Sequence, residues 1–128
     1  MIVDTSAIIA IMKKEPEAAR IAAAIGAARV RSISSASLVE AGILAESRWG
    51  EEGARDLDLL LNELAIAVVP VSARQADLAR QAWRRYGKGR RGLNSGDCFA
   101  YALAKDTGEP LLFKGDDFAH TDIAAAPY

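Results

Sequence analysis

At 128 residues, with 51% hydrophobic and 26% charged side chains, the chain suits one domain, residues 1–128, and its balance excludes a disordered polymer or two independent cores. Its net charge of −1 points to no partner by bulk charge, and its single cysteine, Cys98, excludes an internal disulfide. Nothing approaches the ~18 uninterrupted apolar residues of a membrane span, and Met1-Ile2-Val3-Asp4 does not open a signal peptide, so a soluble cytoplasmic protein without membrane contact is expected.

Ile2-Val3 predicts a short buried strand, ended by Asp4-Thr5-Ser6. A helix follows over 7–12 and a second over 17–27, where Pro16 suits the entry and Ile21 and Ile25 give an apolar stripe. Residues 30–33 predict another strand, after which Ser34 or Ser35 can cap a helix running to about Arg48. A further helix is expected over 52–64, with Leu57, Leu60, Leu61 and Leu64 on one face. Residues 67–71 form the third expected strand, and Pro70 near its end places it at an edge or a terminus. Ser72-Ala73-Arg74-Gln75 has the capping-box spacing and opens a helix to about Tyr86. A glycine-rich basic loop over 87–92 precedes Asn94-Ser95-Gly96-Asp97, which opens the last helix. After Gly108-Glu109-Pro110, Leu111-Leu112-Phe113 predicts a fourth strand, Gly115-Asp116-Asp117 a turn, and the tail a short edge element around Ile123.

Strands alternating with helices imply a parallel sheet between two helical layers, an α/β/α sandwich of four or five strands. Asp4, Glu40, Asp97 and Asp116 each follow a predicted strand or sit one turn into the helix after it, so such a sheet gathers them at its carboxyl edge, where open α/β folds place ligands. Each acid alone has a plainer explanation. Asp4 serves equally as a helix cap; Asp97 fits the reciprocal cap with Asn94; Asp116 sits in a turn that favours aspartate. Glu40 is flanked on a helical wheel by Ile43 and Leu44, which predicts that it projects into a partly enclosed space. Together the four are not expected at one rim by chance. One carboxylate pair 4 Å apart costs about 4 kcal/mol at an effective dielectric of 20, so a cluster of them calls for a hard divalent cation with oxygen ligands.

No acidic residue falls between Asp77 and Asp97, whereas Arg80, Arg84, Arg85, Lys88, Arg90 and Arg91 do, six of the 16 basic residues. A charge run is usually a solvated face. Beside an acidic cluster, however, Arg84, Arg85, Lys88, Arg90 and Arg91 suit a polyanion steered to a metal, and Trp83 and Tyr86 offer a stacking platform for single-stranded or looped RNA. A serine or cysteine nucleophile would depend on one histidine, His120, which makes such a site a weak alternative.

The opening Met1-Ile2-Val3-Asp4-Thr5-Ser6-Ala7 resembles that of PIN-domain ribonucleases, and most closely the VapC-type toxins of toxin–antitoxin pairs. The resemblance continues in Ser37-Leu38-Val39-Glu40-Ala41, in the segment Leu93-Asn94-Ser95-Gly96-Asp97-Cys98-Phe99-Ala100, and in Leu111-Leu112-Phe113-Lys114-Gly115-Asp116-Asp117-Phe118. It implies a PIN-like fold and an endoribonuclease dependent on Mg2+, or Mn2+, with Asp4, Glu40, Asp97 and Asp116 as acids and metal ligands. In that scheme Ser6 and Asn94 steady the carboxylates. The last strand departs from the family pattern, because Phe113 stands where many members carry threonine and either Asp116 or Asp117 could be the fourth acid; Asp116, first after the glycine, is preferred. The resemblance also implies an antitoxin partner laid into an apolar groove between the amino-terminal helices, and a homodimer. Trp49 would suit an interface if exposed. Two other readings stay open: an RNA-binding or interaction module whose acids are all caps, and an aspartate-nucleophile phosphatase, which Ser6 disfavours because the usual pattern has a second aspartate there.

Overall fold

A computed structural model describes residues 1–90 and 92–128. In chain order the elements are β1 (Ile2–Val3), α1 (Thr5–Met12), α2 (Ala18–Ala27), β2 (Ser32–Ser34), α3 (Ser35–Glu63), β3 (Ala67–Val69), α4 (Ala73–Tyr86), α5 (Ser95–Thr107) and β4 (Leu111–Leu112). The strands form one sheet in the order β3-β2-β1-β4, parallel throughout, with Ile2 opposite both Ser32 and Leu111 and Val3 opposite Leu112.

Alternation along these short strands divides the core between the two faces. Val3, Ile33 and Leu112 join Ile8, Ile21, Ile25 and Leu57 beneath α1, α2 and α3. Ile2 and Leu111 join Ala79, Cys98 and Leu103 beneath α4 and α5. Helices thus cover both faces, and the expected three-layer α/β/α sandwich is present. β3 lies at the edge, and Pro70 follows its last residue.

Several boundaries differ from the sequence expectation. The second strand begins at Ser32, not Val30, because Arg31 is used as a clasp: its guanidinium donates to the carbonyl oxygens of Ala28, Leu64 and Gly26. The helices expected over 35–48 and 52–64 are continuous except at Gly50, whose φ of 65° and ψ of −151° break the helical path. Only glycine holds that conformation cheaply. The last strand stops before Phe113, whose ring turns to Phe118, 5.0 Å between centroids. At Ser72 the hydroxyl accepts the Gln75 N–H at 3.1 Å, but the Gln75 amide donates to Asp106 instead of completing the box. The tail does reach the sheet, through a single parallel bridge from Ala125 to Leu111. No helix among the described residues is long and apolar enough to cross a membrane.

Candidate metal centre

The carboxyl ends of β1 and β4 and the first turns of α1 and α5 meet at one rim, and each acid there is fixed by local geometry. Asp4 follows β1 as the N-cap of α1 and is 4% exposed. Its Oδ2 accepts the Ser6 N–H at 2.9 Å and the Ser6 hydroxyl at 2.6 Å, which leaves Oδ1 without a side-chain donor among the described residues. The same Ser6 oxygen accepts the Lys114 N–H at 2.9 Å, and the Asp4 N–H donates to the Leu112 carbonyl. One serine therefore ties the carboxyl end of β1 to the turn after β4.

Asp97 is the third residue of α5 and is 6% exposed. The capping box expected from its spacing to Asn94 is complete: Asn94 Oδ1 accepts the Asp97 N–H at 2.8 Å, and Asp97 Oδ2 accepts the Asn94 N–H at 3.0 Å. Glu40 arrives from the second turn of α3. Its carboxylate lies directly over Gly96, where an added methyl would fall 1.6 Å from Oε2. Any other residue at 96 would evict Glu40 from the mouth of α5, so Gly96 is part of the site. The signal was present in the sequence as a poor helix former in a helix's first turn.

Glu40 is shielded by α5, not by the apolar residues of its own helix. Val39 is 62% and Ile43 61% exposed, because α3 buries Ser37, Ala41 and Ala45 instead. Glu40 is semi-enclosed, as its wheel position predicts, but the enclosing partner is Gly96.

The acids feel one another. Burial raises the pKa of Asp4, and the charge of Asp117 adds to the rise against the lowering by its Ser6 bonds. Burial and then the Asp4 charge raise Glu40. Asp97 is pushed up to about 7, first by burial and then by the charges of Asp4, Asp117 and Glu40, despite the bond from Asn94. From the turn after β4, the charge of Asp117 reaches both Asp4 and Asp97.

Among the described residues, no ion pair joins Asp4, Glu40 or Asp97 to a lysine or arginine. An all-oxygen donor set carrying uncompensated negative charge fits a hard divalent cation. Among the described residues no group of three or more His, Cys, Asp or Glu side chains is arranged to hold a metal ion.

The basic residues separate into different surroundings. Arg84 and Lys88 line a pocket between α4 and α5. Arg85 turns the other way, over the Tyr86 ring and 3.9 Å from Asp122. Arg90 is exposed, and Arg91 lies outside the described residues. Tyr86 packs against Tyr101 and His120, so of the two expected stacking residues Trp83 alone, 53% exposed, stands open. Trp49 is partly buried against the amino-terminal core. With Ile11, Met12 and Leu60 it lines a groove of about 470 Å³ rimmed by Glu52, Asp56 and Glu63.

The PIN domain family profile matches residues 1–124. The chain is 55% identical over 126 residues to Ribonuclease VapC30 of Mycobacterium tuberculosis, covering 97% of this chain and 96% of that one. Among solved structures, VapC20 of Mycobacterium tuberculosis, described as a Sarcin-Ricin loop cleaving toxin, superposes with a TM-score of 0.71 at 22% identity, covering 98% of both chains. VapBC2 from Rickettsia felis, bound to a DNA fragment from its promoter, superposes with a TM-score of 0.75 at 16% identity, covering 97% of this chain and 94% of that one. A profile match across nearly the whole chain and identity above half over 97% of its length, on a sheet whose rim gathers buried acids, leave one assignment: the chain belongs to the PIN-domain family, with the VapC ribonucleases.

Proposed function

We propose that the protein is the toxin of a toxin–antitoxin pair, an endoribonuclease that hydrolyses RNA phosphodiester bonds with Mg2+, or Mn2+, held at the carboxyl rim. The observation that carries the metal centre is the convergence at one rim of buried Asp4 and Asp97 with Glu40, whose carboxylate lies over Gly96, none of them in an ion pair among the described residues. A divalent ion bound there supplies Lewis acidity and lowers the pKa of a coordinated water.

The chain's own residues do the rest. Asp4 and Asp97 would hold the ion, each steadied on one oxygen by Ser6 or Asn94. Glu40, partly buried and raised above the usual carboxylate range, is placed to accept a proton from the attacking water. Asp117, whose charge acts on both ligands, replaces Asp116 as our choice for the fourth acid. The cations of α4 and the following loop hold the flanking phosphates.

The antitoxin, a protein that silences the site, is proposed to lie in the groove lined by Ile11, Met12, Trp49 and Leu60, and a second copy of the chain to complete the toxin as a homodimer. The phosphatase and non-catalytic readings are less well supported: Ser6 is committed to Asp4 and Lys114, and capping gives no reason for Glu40, in the second turn of α3, to lie over Gly96 of α5.

Asp4→Ala and Asp97→Asn should each lower RNA cleavage by more than about a thousandfold in Mg2+, while RNA binding remains measurable by filter retention. Full cleavage by either variant, or cleavage undiminished in excess chelator, would refute the reading.

A further inference from the structure

Between α4 and α5 lies a concavity outside the acid cluster that opens at the same end of α5. Its volume is about 760 Å³, within the ~300–1,000 Å³ of pockets that enclose small ligands. Ala76, Ala79, Cys98 and Phe99 give it apolar walls, and Asn94 and Ser95 close the end toward Asp97. Asn94 is the residue that caps Asp97, so the pocket and the metal centre share one turn of helix.

Trp83 stands at the pocket with its ring already positioned. The indole rests against Gly87, where an added methyl would come within 2.5 Å of Cε3, and the side chain stays 53% exposed. Around it are three cations. Arg84 and Lys88 join no ion pair among the described residues, and Arg80 meets only Asp77, 3.5 Å away on the exposed surface of α4. An apolar slot with an open indole and a cationic rim matches a flat aromatic group that carries negative charge at its edge. A nucleotide has that chemistry.

We propose that the α4–α5 cleft receives an unpaired base of the RNA on Trp83, with the adjoining phosphates on Arg84 and Lys88, so that the next phosphodiester reaches the acid cluster. This deepens, and rests on, the ribonuclease reading above. The cleft selects for single-stranded or looped RNA, because a base inside a duplex must first leave its stack at a cost of a few kcal/mol. Arg85 and Tyr86, engaged with Asp122 and with Tyr101, take no part; the selecting residues are those one helical face away.

The test uses Trp49→Phe, which leaves Trp83 as the sole tryptophan. Titration with a single-stranded oligoribonucleotide in chelator should quench its fluorescence, and the same sequence as a duplex should not. In the otherwise unchanged chain, Trp83→Ala should weaken single-strand binding about tenfold to a hundredfold. Trp83→Phe should keep most of the affinity, and it answers the question if the alanine variant fails to fold. Bound RNA with unquenched Trp83, or unchanged affinity in both variants, overturns the proposal. So does a Trp83→Ala protein that loses self-association while binding RNA normally, which would make the cleft a surface between copies. Cleavage of the same RNA in Mg2+, followed in parallel, separates the two readings. Cleavage without quenching keeps the nuclease and removes the cleft; quenching without cleavage keeps the cleft as an RNA site and removes the nuclease.

Discussion

Asp97 and Asp122 lie at opposite ends of the same packing problem, one in the first turn of α5 and the other in the tail beside its middle. Asp122 accepts the Tyr101 hydroxyl at 2.6 Å and the Lys105 ammonium at 3.0 Å, and its carboxyl is drawn down to about 2, chiefly by those two bonds. Asp97 is pushed up to about 7 by burial and three neighbouring acids. The fold can therefore hold an aspartate well below its ordinary pKa where it supplies a cation, whereas at the carboxyl rim, among the described residues, it supplies only amide and hydroxyl donors. Even Lys114, whose backbone N–H touches Ser6, sends its ammonium to Glu15 and Glu17. A site left short of positive charge in this way suits the divalent cation we propose for it.

That contrast can be broken in order of expected effect. The largest concerns Asp97 in the absence of metal. An acid whose folded pKa lies above its ordinary 3.8 binds its proton more tightly in the native state, so its penalty is absent below about pH 4 and grows as pH rises toward about 7. Asp97→Asn keeps a side-chain oxygen for the Asn94 N–H and removes the charge. In chelator at pH 8 it should be more stable than the parent by on the order of 2 kcal/mol, with a flatter pH profile in urea unfolding. Added Mg2+ should stabilise the parent and not the variant. Equal stability of the two in chelator would mean that the rim is not frustrated.

A smaller effect is expected from Gly96→Ala. Alanine is the better helix former by about 0.5–1 kcal/mol in a helix interior, yet its methyl would displace the Glu40 carboxylate. Cleavage, read as kcat/KM, should fall about tenfold or more, ~1.4 kcal/mol for each factor of ten, while thermal stability holds or rises. Loss of stability without loss of cleavage would assign Gly96 to packing alone. Least affected should be Asp122→Ala, which removes the compensated acid. We expect a loss of about 1 kcal/mol in urea unfolding, because the pairs are partly solvated, and unchanged cleavage. A catalytic defect there would erase the distinction between the two regions.

Much of the rim was legible because its acids are tied to local backbone signals. Asp4 ends a strand and caps a helix, and Asn94 and Asp97 have the spacing of a reciprocal box; such features act within three or four residues and survive without tertiary knowledge. What involved distant residues was less accessible. Glu40 could be identified as sheltered, but its shelter comes from Gly96, far along the chain, and the residues that seemed to enclose it, Ile43 and Leu44, face outward. Trp83 and Tyr86 look alike in the sequence. Only the packing of Tyr101 and His120 against Tyr86 distinguishes the closed ring from the open one. The strand starting at Ser32 was misplaced for a similar reason, since Arg31 is claimed by carbonyls of two helix ends.

The Ser6 hydroxyl gives its proton to Asp4 and takes one from the Lys114 amide, a relay with a direction. A hydroxyl that donates to a full negative charge becomes a stronger acceptor at its own oxygen. Keeping Asp4 ionised therefore tightens the grip on the peptide that leads into Gly115-Asp116-Asp117. The charge state of Asp4 is in this way coupled through one oxygen atom to the loop that carries Asp116 and Asp117.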